Sequence, residues 1–340
     1  MSWHSRIAVA SLAAIMVPLS IPAQTEQSSG VLIGGESDRG ALLEHLKFTA
    51  LLKGNRILVI EERSGPFLKM FDASGTLRQR AGRNGAGPGE FRYVAAAALD
   101  QSRERLAVFD PALRRASYYS IGDTLRFVGS SALPFEIGGA CYLNGQLWVT
   151  GDAGNNAIVH RLVDSAGVLT VAQSGGTMRL GHPLDGFARF RWQILNGPIA
   201  CDSKTGRVIA GTAGLGVIQV VPVKGEPPSL VRLPEFVALE YSAVERGGLM
   251  IKRAASGRQD DLIALRLDDN VLRAIVGHQE PAQRAQGEYQ SVREFRISAA
   301  GVSPGAVARS VERDASAGAV LCTEDAPYPT VRLIRAGRCP

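Results

Sequence analysis

Short apolar stretches separated by polar turns run the length of this chain, and their order repeats. Residues 56–60 (RILVI), residues 67–71 (FLKMF), the turn 72–75 (DASG) and residues 76–78 form a first copy. A second has residues 106–109, 116–119 and 125–128, with Gly122 and Asp123 in its turn. A third has residues 147–150 and 158–163, then the turn 164–167, again with Asp first and Gly last. β-Branched and aromatic residues bounded by Asp, Ser and Gly predict strands joined as hairpins. The order continues with residues 207–210 and 216–221, with 249–251 and 262–267, and with 319–322 and 331–334. Second strands are thereby anchored near positions 57, 106, 147, 208, 249 and 320. That spacing centres on the ~40–50 residues of one blade-like repeat. Helical periodicity is not sustained for three turns after the leading apolar segment, which argues against α/β alternation.

A small sheet cannot bury both of its faces alone, so repeated sheets stack on one another and close into a ring. Six anchors predict an all-β fold, a six-bladed β-propeller of four-stranded antiparallel blades. Closure needs a strand from the other end of the chain, and residues 30–33 (GVLI) are expected to pair beyond residues 331–334 of the last blade. A β-sandwich, or a seventh blade within residues 251–320, is the competing arrangement. Residues 175–196 and 278–294 are longer than a blade requires, and the second is expected to loop outward or form a short helix. Insertions in repeat proteins commonly emerge on the binding face.

The leading segment has a different pattern. Residues 1–6 are mildly basic and residues 7–21 are apolar throughout, a run of about 15 where a membrane-spanning helix needs roughly 20. With the small Ala23 before Gln24, residues 1–23 read as a cleaved secretory signal and residues 24–340 as one propeller domain. The expected address is exported: periplasmic, or secreted to the outside, with no membrane span after cleavage. The 38 glycines are spread along the whole chain, which fits many turns and not a flexible linker. In an oxidising compartment the four cysteines, Cys141, Cys201, Cys322 and Cys339, favour disulfides. Pairing Cys141 with Cys201 and Cys322 with Cys339 keeps each bridge within neighbouring units. The net charge of +6 comes almost wholly from arginines dispersed among Asp and Glu. No basic stripe or nucleic-acid module accompanies it, so nucleic acid is not an expected partner.

Chemistry is sparse. The sequence has no His-Glu-x-x-His stretch, no Gly-x-Ser-x-Gly elbow and no calcium-loop pattern. No cofactor and no catalytic residue is expected. In the 175–196 insertion, Arg189 and Arg191 could clamp an anion beside the flat faces of Phe190 and Trp192, with His182 and Asp185 nearby. Equally, the alternation of Arg189, Phe190, Arg191 and Trp192 suits a strand that buries its aromatics.

The most distinctive string is Gly82-Arg83-Asn84-Gly85-Ala86-Gly87-Pro88-Gly89-Glu90-Phe91. It resembles the Gly-x-Gly-x-Gly-Pro-Gly-Glu-Phe connector of bacterial six-bladed propellers related to NHL repeats (NHL-like and TolB-like rings). In that family the connector joins the outer strand of one blade to the inner strand of the next. As a phosphate cradle the string fails, because Pro88 interrupts it and no helix start follows. Here Arg92-Tyr93-Val94 replaces the Pro that the family usually carries after the Phe. Repeat rings commonly serve as binding platforms, so the expected function is that of a noncatalytic exported ring that binds a protein, peptide or glycan by its loop face. Some six-bladed relatives are metal-dependent lactonases or lyases; on that alternative Glu136, Asp202 and Glu240, near blade starts, would supply oxygen ligands.

Overall fold

In a computed structural model, the described residues are 30–34 and 42–335, except 64, 156, 177–194, 223–226, 245–247, 253–256, 258, 269–270, 280–290, 299–300, 309–310, 317–318 and 325–329. Strand β1 (Gly30–Gly34) stands apart from the first sheet. That sheet, blade one, is a meander of β2 (Leu46–Leu52), β3 (Arg56–Glu61), β4 (Leu68–Phe71) and β5 (Leu77–Ala81). Blade two has β6 (Ala96–Asp100), β7 (Arg105–Asp110), β8 (Arg115–Ile121) and β9 (Leu125–Ala132). Blade three has β10 (Ile137–Leu143), β11 (Gln146–Gly151), β12 (Val159–Ser165) and β13 (Val168–Ser174). A single parallel bridge, Val168 to Ala132, joins the outer strands of blades two and three. Blade four has β14 (Ile199–Asp202), β15 (Arg207–Gly211), β16 (Val217–Pro222) and β17 (Ser229–Arg232).

A two-stranded hairpin follows, β18 (Glu240–Val244) with β19 (Gly248–Lys252). Blade five has β20 (Gln259–Asp268), β21 (Val271–Gln279), β22 (Ser291–Ser298) and β23 (Gly301–Ala308). Blade six has β24 (Val311–Ser316), β25 (Ala319–Glu324) and β26 (Thr330–Arg335), and takes β1 as its fourth strand. First strands lie against first strands: β2 on β6, β6 on β10, β10 on β14, β14 on β20, and β24 back on β2. The register of closure is Val31 with Leu333 and Ile33 with Val331, as residues 30–33 led us to expect.

Five of the six sequence anchors fall on second strands. The anchor at 249 does not: residues 249–251 lie in the inserted hairpin, and residues 262–267 lie in the first strand of blade five. The hairpin has the same apolar signature as a blade strand. The true outer strands of blade five, SVREFRIS and GVSPGAVA, have no apolar run. Pro304 also sits in β23, where an edge strand tolerates a missing N–H. Residues 278–279 and 291–294 are strand at the ends of β21 and β22, not an outward loop or helix. The residues between them, 280–290, lie outside the described residues. No seventh four-stranded blade occupies the described residues of 251–320.

Small residues let first strands approach one another. A Cβ on Gly139 of β10 would stand 2.6 Å from the Gly197 carbonyl, and one on Gly197 would stand 2.0 Å from the Gly211 carbonyl. A disulfide between Cys141 and Cys201, with Cα atoms 5.8 Å apart, bridges β10 to β14. Cys322 is disulfide-bonded as well; its expected partner, Cys339, lies outside the described residues.

The glycine-rich connector is a structural clasp between blades one and two. Glu90 accepts the Gly87 N–H at 2.7 Å and the Arg83 Nε–H at 2.5 Å, and these bonds, Gly87 first, hold its carboxyl below the usual range. Arg115 donates to the Gly87 and Glu90 carbonyls, at 2.9 and 2.6 Å, and Tyr119 to the Gly89 carbonyl at 3.1 Å. Phe91 is fully buried, 5.6 Å from the Phe67 ring centroid and 6.3 Å from that of Tyr119. Beyond it, the buried Asp110 carboxylate accepts the N–H groups of Arg92 at 2.7 Å, Tyr93 at 3.3 Å and Leu113 at 2.9 Å.

Candidate functional site

Blades two and three share an apolar core that includes Ala107, Phe109 and Ala116 on one side and Leu147, Val149, Leu162 and Leu169 on the other. Toward the turns between first and second strands this core gives way to a crevice of about 370 Å³. Arg105, Tyr118 and Val128 of blade two face Tyr142, Leu147, Leu162, Asp164 and Leu169 of blade three across it.

Local sheet geometry opens the space. In the β8–β9 pair Tyr118 opposes Gly129 while Tyr119 opposes Phe127, so Val128 is an extra, bulged residue. A bulge re-aims a side chain, and Val128 is left 66% exposed at the rim. Gly129 carries nothing to cover the Tyr118 ring, and a Cβ built there meets no atom within 4 Å. A larger cross-strand partner of Tyr118 would stand next to Val128, which lines the crevice.

Arg105, the first residue of β7, supplies the charge. Its guanidinium carbon lies 5.0 Å from the Tyr142 ring centroid and 6.0 Å from that of Tyr118, within cation–π range of both. Arg105 takes part in none of the ion pairs formed among the described residues. Burial pushes the Tyr118 phenol up to about 12 and raises that of Tyr142, so both remain protonated at neutral pH. The Tyr142 hydroxyl is shut off from solvent, and the Arg105 guanidinium beside its oxygen partly opposes the effect of burial. Asp164 is already engaged: it accepts the Ser131 hydroxyl and, at 3.0 Å, the Gly167 N–H. Arg161 of β12 lines the same crevice, which therefore offers two guanidinium groups, flat aromatic walls and leucine side chains.

The residues singled out in the sequence lie elsewhere. His182, Asp185, Arg189, Arg191 and Trp192 fall outside the described residues. Of the insertion that carries them, Leu195 is buried in the core between blades three and four, and Asn196 packs on Gly138 near the start of β10. Glu136 is exposed just before β10, and Asp202 ends β14. Contacts of Gly138 with Asn196, Gly139 with Gly197 and Cys141 with Cys201 show that β10 and β14 run in the same direction. Glu136 and Asp202 are thus at opposite ends of neighbouring strands, about 20 Å apart, too far to share an ion. Asp202 instead accepts the N–H groups of Lys204 at 2.9 Å and Thr205 at 3.3 Å, as Asp100 caps the equivalent turn of blade two. Glu240 opens β18, in the inserted hairpin. Among the described residues no three His, Cys, Asp or Glu side chains form a group able to hold a metal ion.

Sequence reading missed Arg105, Tyr118 and Tyr142 because each lies in a segment that reads as ordinary strand. Their meeting depends on the cross-strand register and on how two blades pack, which no local pattern encodes. Gly129, in the middle of a strand, was the available signal, since such a glycine marks a bulge or an open approach.

Residues 43–150 match a family model, DUF5128, described as a 6-bladed beta-propeller. No curated protein matches the chain. Among solved structures, a protein of Bacteroides fragilis described as exported superposes with a TM-score of 0.54 at 12% identity, over 91% of this chain and 95% of that one. A member of the DUF4221 family from Bacteroides vulgatus gives a TM-score of 0.55 at 8% identity, over 90% and 95%. These likenesses extend over nearly the whole ring, and the family match covers blades one and two and part of blade three. Sheet order, ring contacts, strand-exchange closure and these matches make the chain a six-bladed β-propeller.

Proposed function

We propose that this chain is an exported, noncatalytic ring that binds a protein, peptide or glycan without transforming it. On this reading residues 1–23 direct export and are removed, residues 24–340 act outside the cytoplasm, and the disulfide-bonded cysteines suit that oxidising setting. Among the described residues no helix is long and apolar enough to cross a membrane. The observation that carries the proposal is the crevice between blades two and three. There Arg105, with no acidic partner among the described residues, stands against two tyrosines, and Arg161 shares a concave space with leucine walls, the composition of a recognition pocket. Catalysis would need an activated base or nucleophile beside that space, whereas both phenols there are protonated and Asp164 is engaged in turn hydrogen bonds. His182, Asp185, Arg189, Arg191 and Trp192, which lie outside the described residues, are proposed as a second contact, since arginines alternating with aromatics in sequence suit an anionic partner equally well.

The test is to incubate the purified chain with arrayed peptides and glycans, then to recover the captured ligands and weigh them. Saturable binding with ligands of unchanged mass is expected. Ligands recovered as cleavage or elimination products would overturn the noncatalytic reading, and the absence of any bound peptide or glycan would overturn the binding reading.

A further inference from the structure

Resting on that reading, we infer that the crevice between blades two and three recognises an aliphatic carboxylate, a carboxyl group attached to an apolar body. Three features specify this class. The Arg105 guanidinium carbon lies 5.0 Å from the Tyr142 ring centroid and 6.0 Å from that of Tyr118, and its planar N–H pairs match carboxylate geometry. Arg161 lines the crevice from the blade three side and offers a second guanidinium for the other carboxylate oxygen. Below these two groups the walls turn aliphatic, with Leu147 and the core behind it, while Val128 leans over the mouth from its bulge.

A phosphate or sulfate is disfavoured by the same arrangement. Such an anion could meet the guanidiniums of Arg105 and Arg161 but has no apolar body to cover Leu147, Leu162 and Leu169. An uncharged sugar would leave the guanidinium desolvated without compensation. A carboxylate bearing an aliphatic side chain meets both halves of the site. It is found at the chain end of a peptide and in free organic acids.

The experiment titrates the disulfide-intact chain with N-acetyl-leucine and with N-acetyl-leucinamide, following chemical shifts by NMR. The acid is expected to saturate, and the amide to bind about tenfold more weakly through loss of the charge-assisted pair. Arg105→Gln should erase the difference between acid and amide. Gly129→Val should abolish binding of both by filling the space above Tyr118, and a Cβ at that position clashes with nothing. Equal binding of acid and amide, an unaltered preference in Arg105→Gln, or no saturation by the acid would overturn the inference. A hexapeptide ending in free Val-Leu that binds more tightly than N-acetyl-leucine assigns the site to chain ends, and equal affinity assigns it to free acids; both support it. Peptides or glycans that bind the wild type and Arg105→Gln alike would leave the ring a binding protein and remove the crevice from its mechanism.

Discussion

His160 is shut off from solvent in β12, and its two ring nitrogens serve opposite roles. Nε2 faces the carbonyls of Gly151 at 3.2 Å and Ala157 at 3.0 Å, both acceptors, so it carries the proton. Nδ1 is left to accept from the Ser174 hydroxyl at 2.9 Å. With the Phe135 ring 5.1 Å away, burial pushes the imidazole below its ordinary value of 6.5. An unfolded chain takes up a proton near that value while the folded one resists, so stability is full above it and declines as pH falls below it, by at most about 1.4 kcal/mol per unit. The urea midpoint should therefore drop between about pH 7.5 and about pH 5.5, and His160→Gln should show a smaller drop. Gly85 makes a second prediction at this scale. A Cβ there would stand 2.1 Å from Glu90 Oε2, so Gly85→Ala should cost about 1–3 kcal/mol in a denaturant titration by displacing the carboxylate that holds the connector. The connector was legible from sequence because its four glycines, Gly82, Gly85, Gly87 and Gly89, fall within one short local string. The histidine was not, since an isolated His in a strand has the same pattern whether it is buried, exposed or functional.

Elements are held to their neighbours by a few specific ties. The Glu61 carboxylate in β3 pairs with Lys69 in β4, both nearly fully buried, and together they seize the chain leading into β2. Glu61 accepts the Glu44 N–H at 2.6 Å and Lys69 donates to the Leu42 carbonyl at 2.7 Å. Removing one partner strands the other charge, so Lys69→Ala should lose roughly 3–5 kcal/mol, whereas Lys69→Met with Glu61→Leu should lose far less. The Cys141–Cys201 bridge closes a 60-residue span across two blades. Replacing both cysteines by serine should cost roughly 4 kcal/mol, read from denaturation under non-reducing conditions. Strand pairs with apolar runs, such as β3 with β4 and β7 with β8, were readable because alternation and turn chemistry are local. Blade five was not: β22 and β23 carry no apolar run, and the β18–β19 hairpin has the sequence signature of a blade strand.

At the level of the whole molecule, closure joins the blade six sheet to the blade one core. Ile33 of β1 is buried with Val331 and Leu333 and packs with Ile57, Val59 and Phe71 of blade one. Val31 also fills the place where a Cβ of Gly75 would stand, 2.5 Å away, at the first hairpin turn. Deleting residues through Gly34 should cost at least about 3 kcal/mol and produce concentration-dependent association on a sizing column, since it bares both an apolar face and a strand edge. Adding the GVLIG segment back as a peptide should partly restore the thermal midpoint. Ring architecture was readable from the repeat, and the candidate pocket was not, because a crevice between blades belongs to neither repeat by itself.

That closing strand comes from the opposite end of the polypeptide to the sheet it completes. During synthesis β26 emerges after every other strand of the ring, so a nascent chain carries an unsealed circle until blade six is made. Every truncated product that stops short of residue 330 keeps β1 without its mate. Quality control that senses bare strand edges can in this way distinguish finished molecules from interrupted ones, with no need to read their sequence.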